Sequence, residues 1–144
     1  QQNIITKAQF GHSLTQRLYE RYFQTSTNKE YAEFMAKDWD ADNLTPTEET
    51  RVQMAILTYL VDIFDVYDKV ESGLVDKSHL DTRMNTLKLG VMKTKNAKLV
   101  WSYWKWNRTK DFVKWFENEI YGEEVDKLSV EEIIKKSTEL NTLR

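Results

Sequence analysis

Apolar residues recur along this chain at spacings of three and four, the period of helices that bury one face. Over residues 4–23, Ile4, Ala8, Thr15, Leu18, Tyr19 and Tyr22 share a stripe with Arg17 and Arg21 opposite it. Phe10 and Leu14 fall off that stripe, so the pattern predicts a helix packed through the stripe with a second contact elsewhere. A short helix is predicted over 30–36 from Tyr31, Phe34 and Met35, followed by an acidic loop, KDWDADNL, centred on Trp39. The segment TPTE (45–48) then sets Thr45 at an N-cap, Pro46 in the first turn and Glu48 three residues on, the reciprocal capping box. Behind it Val52, Ile56, Tyr59, Ile63, Val66, Tyr67 and Val70 form a long stripe widened by Leu60 and Phe64, and Gly73 is placed to end it.

Leu80, Met84, Leu87 and Val91 give a further stripe with Asp76 or Ser78 as its cap, and TKNA (94–97) is read as a break. Thr109 is placed to cap a helix carrying Phe112, Val113, Trp115, Phe116 and Ile120, which Gly122 closes. SVEE (129–132) is a second capping box, opening a short helix with Val130, Ile133, Ile134 and Leu140. No alternating run is long enough for a strand. The expected fold is all-α, a compact bundle of six or seven helices forming a single domain over 1–144.

Four of the five tryptophans fall in LVWSYWKWNRTKDFVKWF (99–116). On a helical wheel Trp106, Leu99, Tyr103, Val100, Trp104, Ala97 and Trp101 cover more than half the circumference, leaving Lys105, Lys98 and Ser102 as a polar strip. A helix so apolar is expected to be packed on two sides, with Trp101 and Trp115 in the core and Trp106 the ring most exposed.

Composition narrows the class without naming a chemistry. The 144 residues are 40% hydrophobic and 31% charged, with one proline, four glycines and no cysteine. Disulfides and thiolate sites are thereby excluded, and long helices with short polar joins are favoured. No run approaches the length of a membrane span. The net charge of -2 hides strong segregation: 38–81 holds eleven acids against three bases, and 93–114 holds seven bases against Asp111 alone. Lys93, Lys95, Lys98, Lys105, Arg108 and Lys110 are expected to form a basic rim. Its charge is either met by the acids of 62–71, Glu117, Glu119, Glu123 and Glu124, or left free for an anionic surface.

Candidate chemistry is sparse. His12 is expected at the buried edge of the first helix, and His79 at a helix N-terminus near the surface. Asp62, Asp65 and Asp68 recur every three residues, but Lys69 lies four after Asp65, the spacing of an ordinary helical ion pair. DWDAD (38–42) lacks the glycine and closing glutamate of a calcium loop. There is no nucleophile elbow and no phosphate loop, and no cofactor or metal is implied. Tyr19, Tyr22, Tyr59, Tyr67 and Tyr103 could supply hydroxyls to an apolar pocket between helices, the alternative in which the protein binds a small molecule or is an enzyme.

FDVYDKVESGLVD (64–76), MNTLKLGVM (84–92), Trp101 and FVKWF (112–116) together resemble a family of uncharacterised bacterial proteins. In that family a membrane-anchored N-terminal helix precedes a small helical domain. The resemblance covers roughly residues 45–120; this chain has His79 where members usually carry tryptophan, and Lys95–Asn96 where they often carry Pro–Gly. It implies a helical bundle tethered to a membrane by a segment upstream of Gln1, without implying active-site residues. The expectation is therefore a non-catalytic interaction or scaffold domain, membrane-associated if so anchored and cytoplasmic otherwise. Its expected partners are first another protein and then an anionic membrane surface; nucleic acid is disfavoured by the overall acidity.

Overall fold

The computed structural model describes residues 2–122. They form six helices, α1 (Gln2–Thr27), α2 (Lys29–Ala36), α3 (Pro46–Glu71), α4 (Ser78–Leu87), α5 (Lys95–Trp104) and α6 (Lys110–Tyr121), with 3-10 turns at Val91–Lys93 and Lys105–Asn107. No strand occurs among the described residues, and the chain is all-α. The helix expected at 129–140, with Val130, Ile133, Ile134 and Leu140, lies outside them, as do Glu123 and Glu124.

Helix ends follow local chemistry. The Glu48 amide donates to Thr45 Oγ1 at 3.2 Å and the Thr45 amide to Glu48 Oε1 at 3.3 Å, closing the capping box. Asn28 and Thr109 cap α2 and α6 through the amides of Tyr31 and Phe112. Thr94 does the same for α5, its Oγ1 accepting from Ala97. TKNA therefore opens a helix instead of breaking one, and the break falls earlier, where Gly90 at φ 123° leads into the 3-10 turn. Gly73 and Gly122 end α3 and α6 with φ of 70° and 75°, a left-handed step that a side chain resists.

Contacts group the described residues into two units, 2–38 with 60–85 and 39–59 with 86–122, so α3 contributes to both. In the first unit the core comprises Leu14, Phe34, Leu60, Ile63, Phe64, Val66, Val75, Leu80 and Met84. Gly11 stands mid-helix in α1 because a Cβ there would lie 3.3 Å from His79 Nε2; His79 is half-buried against it. In the second unit, which holds all five tryptophans, Val52, Ile56, Leu87, Met92, Ala97, Val100, Trp101, Phe112, Phe116 and Ile120 are buried. Trp101 lies 4.4 Å from Phe116, and Trp39 leaves its acidic loop to stack on Tyr59 at 6.4 Å.

α1 is rotated from its expected phase. Leu14 is buried and Arg17 and Arg21 turn inward, whereas Ile4, Ile5, Tyr19, Tyr22 and Phe23 stand 56–72% exposed. His12, expected at a buried edge, is exposed as well. The cause is electrostatic and lies in α3.

Candidate functional site

That cause is Asp62. Its carboxylate is buried on the α3 face that meets α1 and α4, and it gathers three guanidinium groups. Arg17 Nη1 donates to Oδ1 at 2.6 Å, Arg83 Nε donates to Oδ2 at 2.7 Å, and Arg21 Nη2 lies 3.0 Å from Oδ2. Arg83 is itself buried and also donates to the carbonyls of Leu14 at 2.9 Å and His79 at 3.2 Å. Asp65 receives Arg17 at 3.1 Å and pairs with Lys69, the helical ion pair that its spacing predicts. Burial pushes the Asp62 carboxyl up, but the Arg17 hydrogen bond and the charges of Arg83 and Arg21 outweigh it and hold the group below the usual carboxylate range. Asp62 and Asp65 are thus engaged by basic side chains, and Asp68 is exposed. Among the described residues no cluster of His, Asp or Glu is placed to hold a metal ion.

The second unit repeats the device with one base. Glu117 of α6 is buried, accepting from Trp101 Nε1 at 2.8 Å and from Lys105 Nζ at 3.2 Å. Tyr121, one turn on, donates its hydroxyl to the Met92 carbonyl at 2.8 Å. Burial, helped by the Glu117 charge, raises the pKa of that phenol. Lys105 is therefore not part of an outer rim, and Ser102, expected in the polar strip, is buried and bonded to the Leu99 carbonyl. Glu117 thus holds Lys105 of the expected polar strip inside the unit, while Lys98 stays exposed.

What α5 turns outward is aromatic and basic. Lys95, Lys98 and Tyr103 of α5 are exposed with Leu99 half-buried among them, and Trp106 follows in the 3-10 turn. Trp101 is 1% exposed, against 38% for Trp104, 41% for Tyr103 and 62% for Trp106. Tyr103 and Trp104, part of the arc expected to be packed on two sides, are thus at the surface, and Trp115, expected in the core, is half-buried. Of the expected rim, Lys93, Lys98 and Lys110 are exposed, while Lys95 is exposed but paired with Asp42 at 2.6 Å. Arg108 is half-buried over the Phe112 ring, 4.5 Å from its centroid. Lys88, not counted in the rim from sequence, pairs with Glu119 at 2.7 Å. No acid occurs between Asp81 and Asp111, so the exposed rings sit in a stretch of one charge sign.

The tyrosines expected to share a pocket are drawn from both units. Tyr19, Tyr22 and Tyr67 belong to the first unit and Tyr59 and Tyr103 to the second; Tyr19 and Tyr22 are exposed, Tyr59 and Tyr67 half-buried. No described helix is long and apolar enough to cross a membrane. Compared with known proteins, the chain matches no family model, no curated protein and no solved structure.

Proposed function

We propose that this protein is a non-catalytic interaction domain that meets an anionic phospholipid surface through the outward face of α5 and the turn that follows it. One observation carries the reading: within six residues the chain buries Trp101 and presents Tyr103, Trp104 and Trp106. Indole and phenol rings have an apolar body and a polar edge, which suits them to the headgroup layer. Exposed Lys93, Lys98 and Lys110 supply the complementary charge. Near an anionic bilayer each lysine contributes about 1 kcal/mol, screened by salt. An anchor upstream of Gln1, as the family resemblance implies, would keep the chain near the bilayer and act as the second attachment that stable binding needs.

Co-sedimentation with phosphatidylserine-containing and pure phosphatidylcholine vesicles tests the reading. Binding is expected to the anionic vesicles alone, to fall with added salt, and to weaken about fivefold with Lys98→Ala. Trp106→Ala should weaken it too without altering the fold. Equal, negligible sedimentation with both vesicle types at low salt, or binding that Trp106→Ala leaves unchanged, overturns it. So does capture of single-stranded oligonucleotide in place of vesicles.

A further inference from the structure

The outward stripe of α1 carries a repeat of its own. Ile5, Ala8, His12, Thr15, Tyr19 and Tyr22 follow one another at alternating spacings of three and four, the spacing that keeps one seam of a helix facing a partner helix. All but the half-buried Thr15 are exposed, as are Ile4 and Phe23 beside them. The opposite side of α1 is committed to the buried Leu14 and to Asp62. We propose that a second copy of this chain docks on this stripe, helix to helix and antiparallel, as a two-fold pair.

The seam is its own complement. Centred between Ser13 and Leu14, an antiparallel pair sets Ile4 level with Phe23 of the copy, Ile5 with Tyr22, Ala8 with Tyr19 and His12 with Thr15. Each aliphatic end is covered by an aromatic end, and the small Ala8 leaves room for the Tyr19 ring. A parallel pair would set Ala8 against Ala8 and Tyr19 against Tyr19, leaving a gap at one level and crowding at another. Charge agrees: Arg17 and Arg21 turn away toward Asp62, so the stripe has no charged member, and its flanks Gln9, Gly11, Gln16 and Leu18 are neutral. Two copies therefore meet without like charges in the seam, as an isologous interface requires.

The area is of the right order. Aromatic side chains bury about 150–250 Å² each, so Tyr19, Tyr22 and Phe23 at 59%, 57% and 67% exposure offer on the order of 350 Å². Ile4 and Ile5, at 72% and 56%, bring the apolar patch to roughly 500–600 Å². With Gln9, His12 and Gln16 beside it, the stripe approaches the roughly 800 Å² per partner of a specific complex. At about 1.5 Å per residue the 26-residue helix is about 39 Å long, enough to carry the whole contact.

Sedimentation equilibrium of the full chain from about 1 to about 500 µM, spanning the range of a modest dimer, should show the mass doubling from 17.2 kDa. Tyr22→Glu and Ile5→Glu should each weaken the dimer about thirtyfold or more. Met54→Glu, at an exposed apolar residue of α3 in the other unit, should leave it intact, with circular dichroism confirming that all three variants fold. The chain has no cysteine, so orientation is read directly: mixing Ala8→Cys with Tyr19→Cys copies should give the mixed disulfide dimer on oxidation. A monomer at every concentration overturns the proposal, whatever else α1 is found to capture, and so does a dimer that neither glutamate variant weakens. Crosslinking of Ala8→Cys copies to one another in preference to the mixed pair overturns the antiparallel arrangement.

Discussion

Replacing Asp62 with asparagine keeps the shape of the side chain and removes its charge, leaving three guanidinium groups around a neutral amide. The damage is unequal among them. Arg83 has a side chain only 3% exposed, so its charge loses its ionic partner where water cannot replace it, although the Leu14 and His79 carbonyls remain. Arg17 is 40% exposed and keeps Asp65, so it recovers most of what it loses. Breaking a buried ion pair from one side costs about 3–5 kcal/mol, and the half-exposed pairs add no more than about 1 kcal/mol each. Asp62→Asn should therefore destabilise by about 3–5 kcal/mol, a large share of the 5–15 kcal/mol typical of a folded domain. Urea denaturation followed by circular dichroism at neutral pH measures it, with Arg17→Met as the comparison at about 1 kcal/mol or less. The double variant Asp62→Leu/Arg83→Met removes the most deeply buried pair together and should recover much of the loss. An Asp62→Asn protein within about 1 kcal/mol of the parent would show that Arg83 does not depend on this carboxylate, and an Arg17→Met protein that loses as much would show that burial does not rank the pairs.

The two classes of tryptophan should separate in stability. Trp101→Ala removes a buried ring packed on Phe116 and is expected to cost about 3–5 kcal/mol, whereas Trp106→Ala should stay within about 0.5 kcal/mol; chemical denaturation of both decides, and equal losses contradict the burial described. The pH profile of stability should fall at both ends. Asp62, held below its ordinary value, stabilises the fold above the unfolded carboxylate pKa of about 4 and loses that contribution as pH falls through its own lower value. Tyr121, held above its ordinary value, stabilises below about pH 10 and withdraws that contribution as pH rises through its own higher value. A pH titration of the urea midpoint checks both limbs, and Asp62→Asn should flatten the acidic one.

Features that depend on neighbours in sequence were legible. Thr45 with Glu48, Thr109, Gly73 and Gly122 act within one helical turn, and all four occur where their spacing places them. The α3 stripe was legible because Val52, Ile56, Leu60, Ile63 and Val66 bury against apolar neighbours. The phases of α1 and α5 were not. A helical wheel assigns arginine and lysine to water, and here Arg17 and Arg21 answer a carboxylate more than forty residues away, while Lys105 answers Glu117. Once those bases turn inward, Tyr19, Tyr22, Tyr103 and Trp106 must turn outward. Trp39 was hidden by composition: its loop is acidic, but the ring stacks on Tyr59 and its carbonyl accepts from Asn96. The candidate faces were therefore invisible for the same reason as the ion pairs that create them.

All five tryptophans lie in one unit and none in the other, which makes the protein two molecules optically. Indole emission reports only on the unit that holds Trp39 and Trp101, while Asp62 and its arginines sit among residues whose sole ultraviolet markers are tyrosine and phenylalanine. Far-ultraviolet dichroism sums both. Superimposing the two signals during denaturation therefore reads cooperativity without any label: coincident curves mean that the long helix common to both units transmits unfolding from one to the other. A dichroism change that runs ahead of indole emission means that the tryptophan-free unit comes apart first.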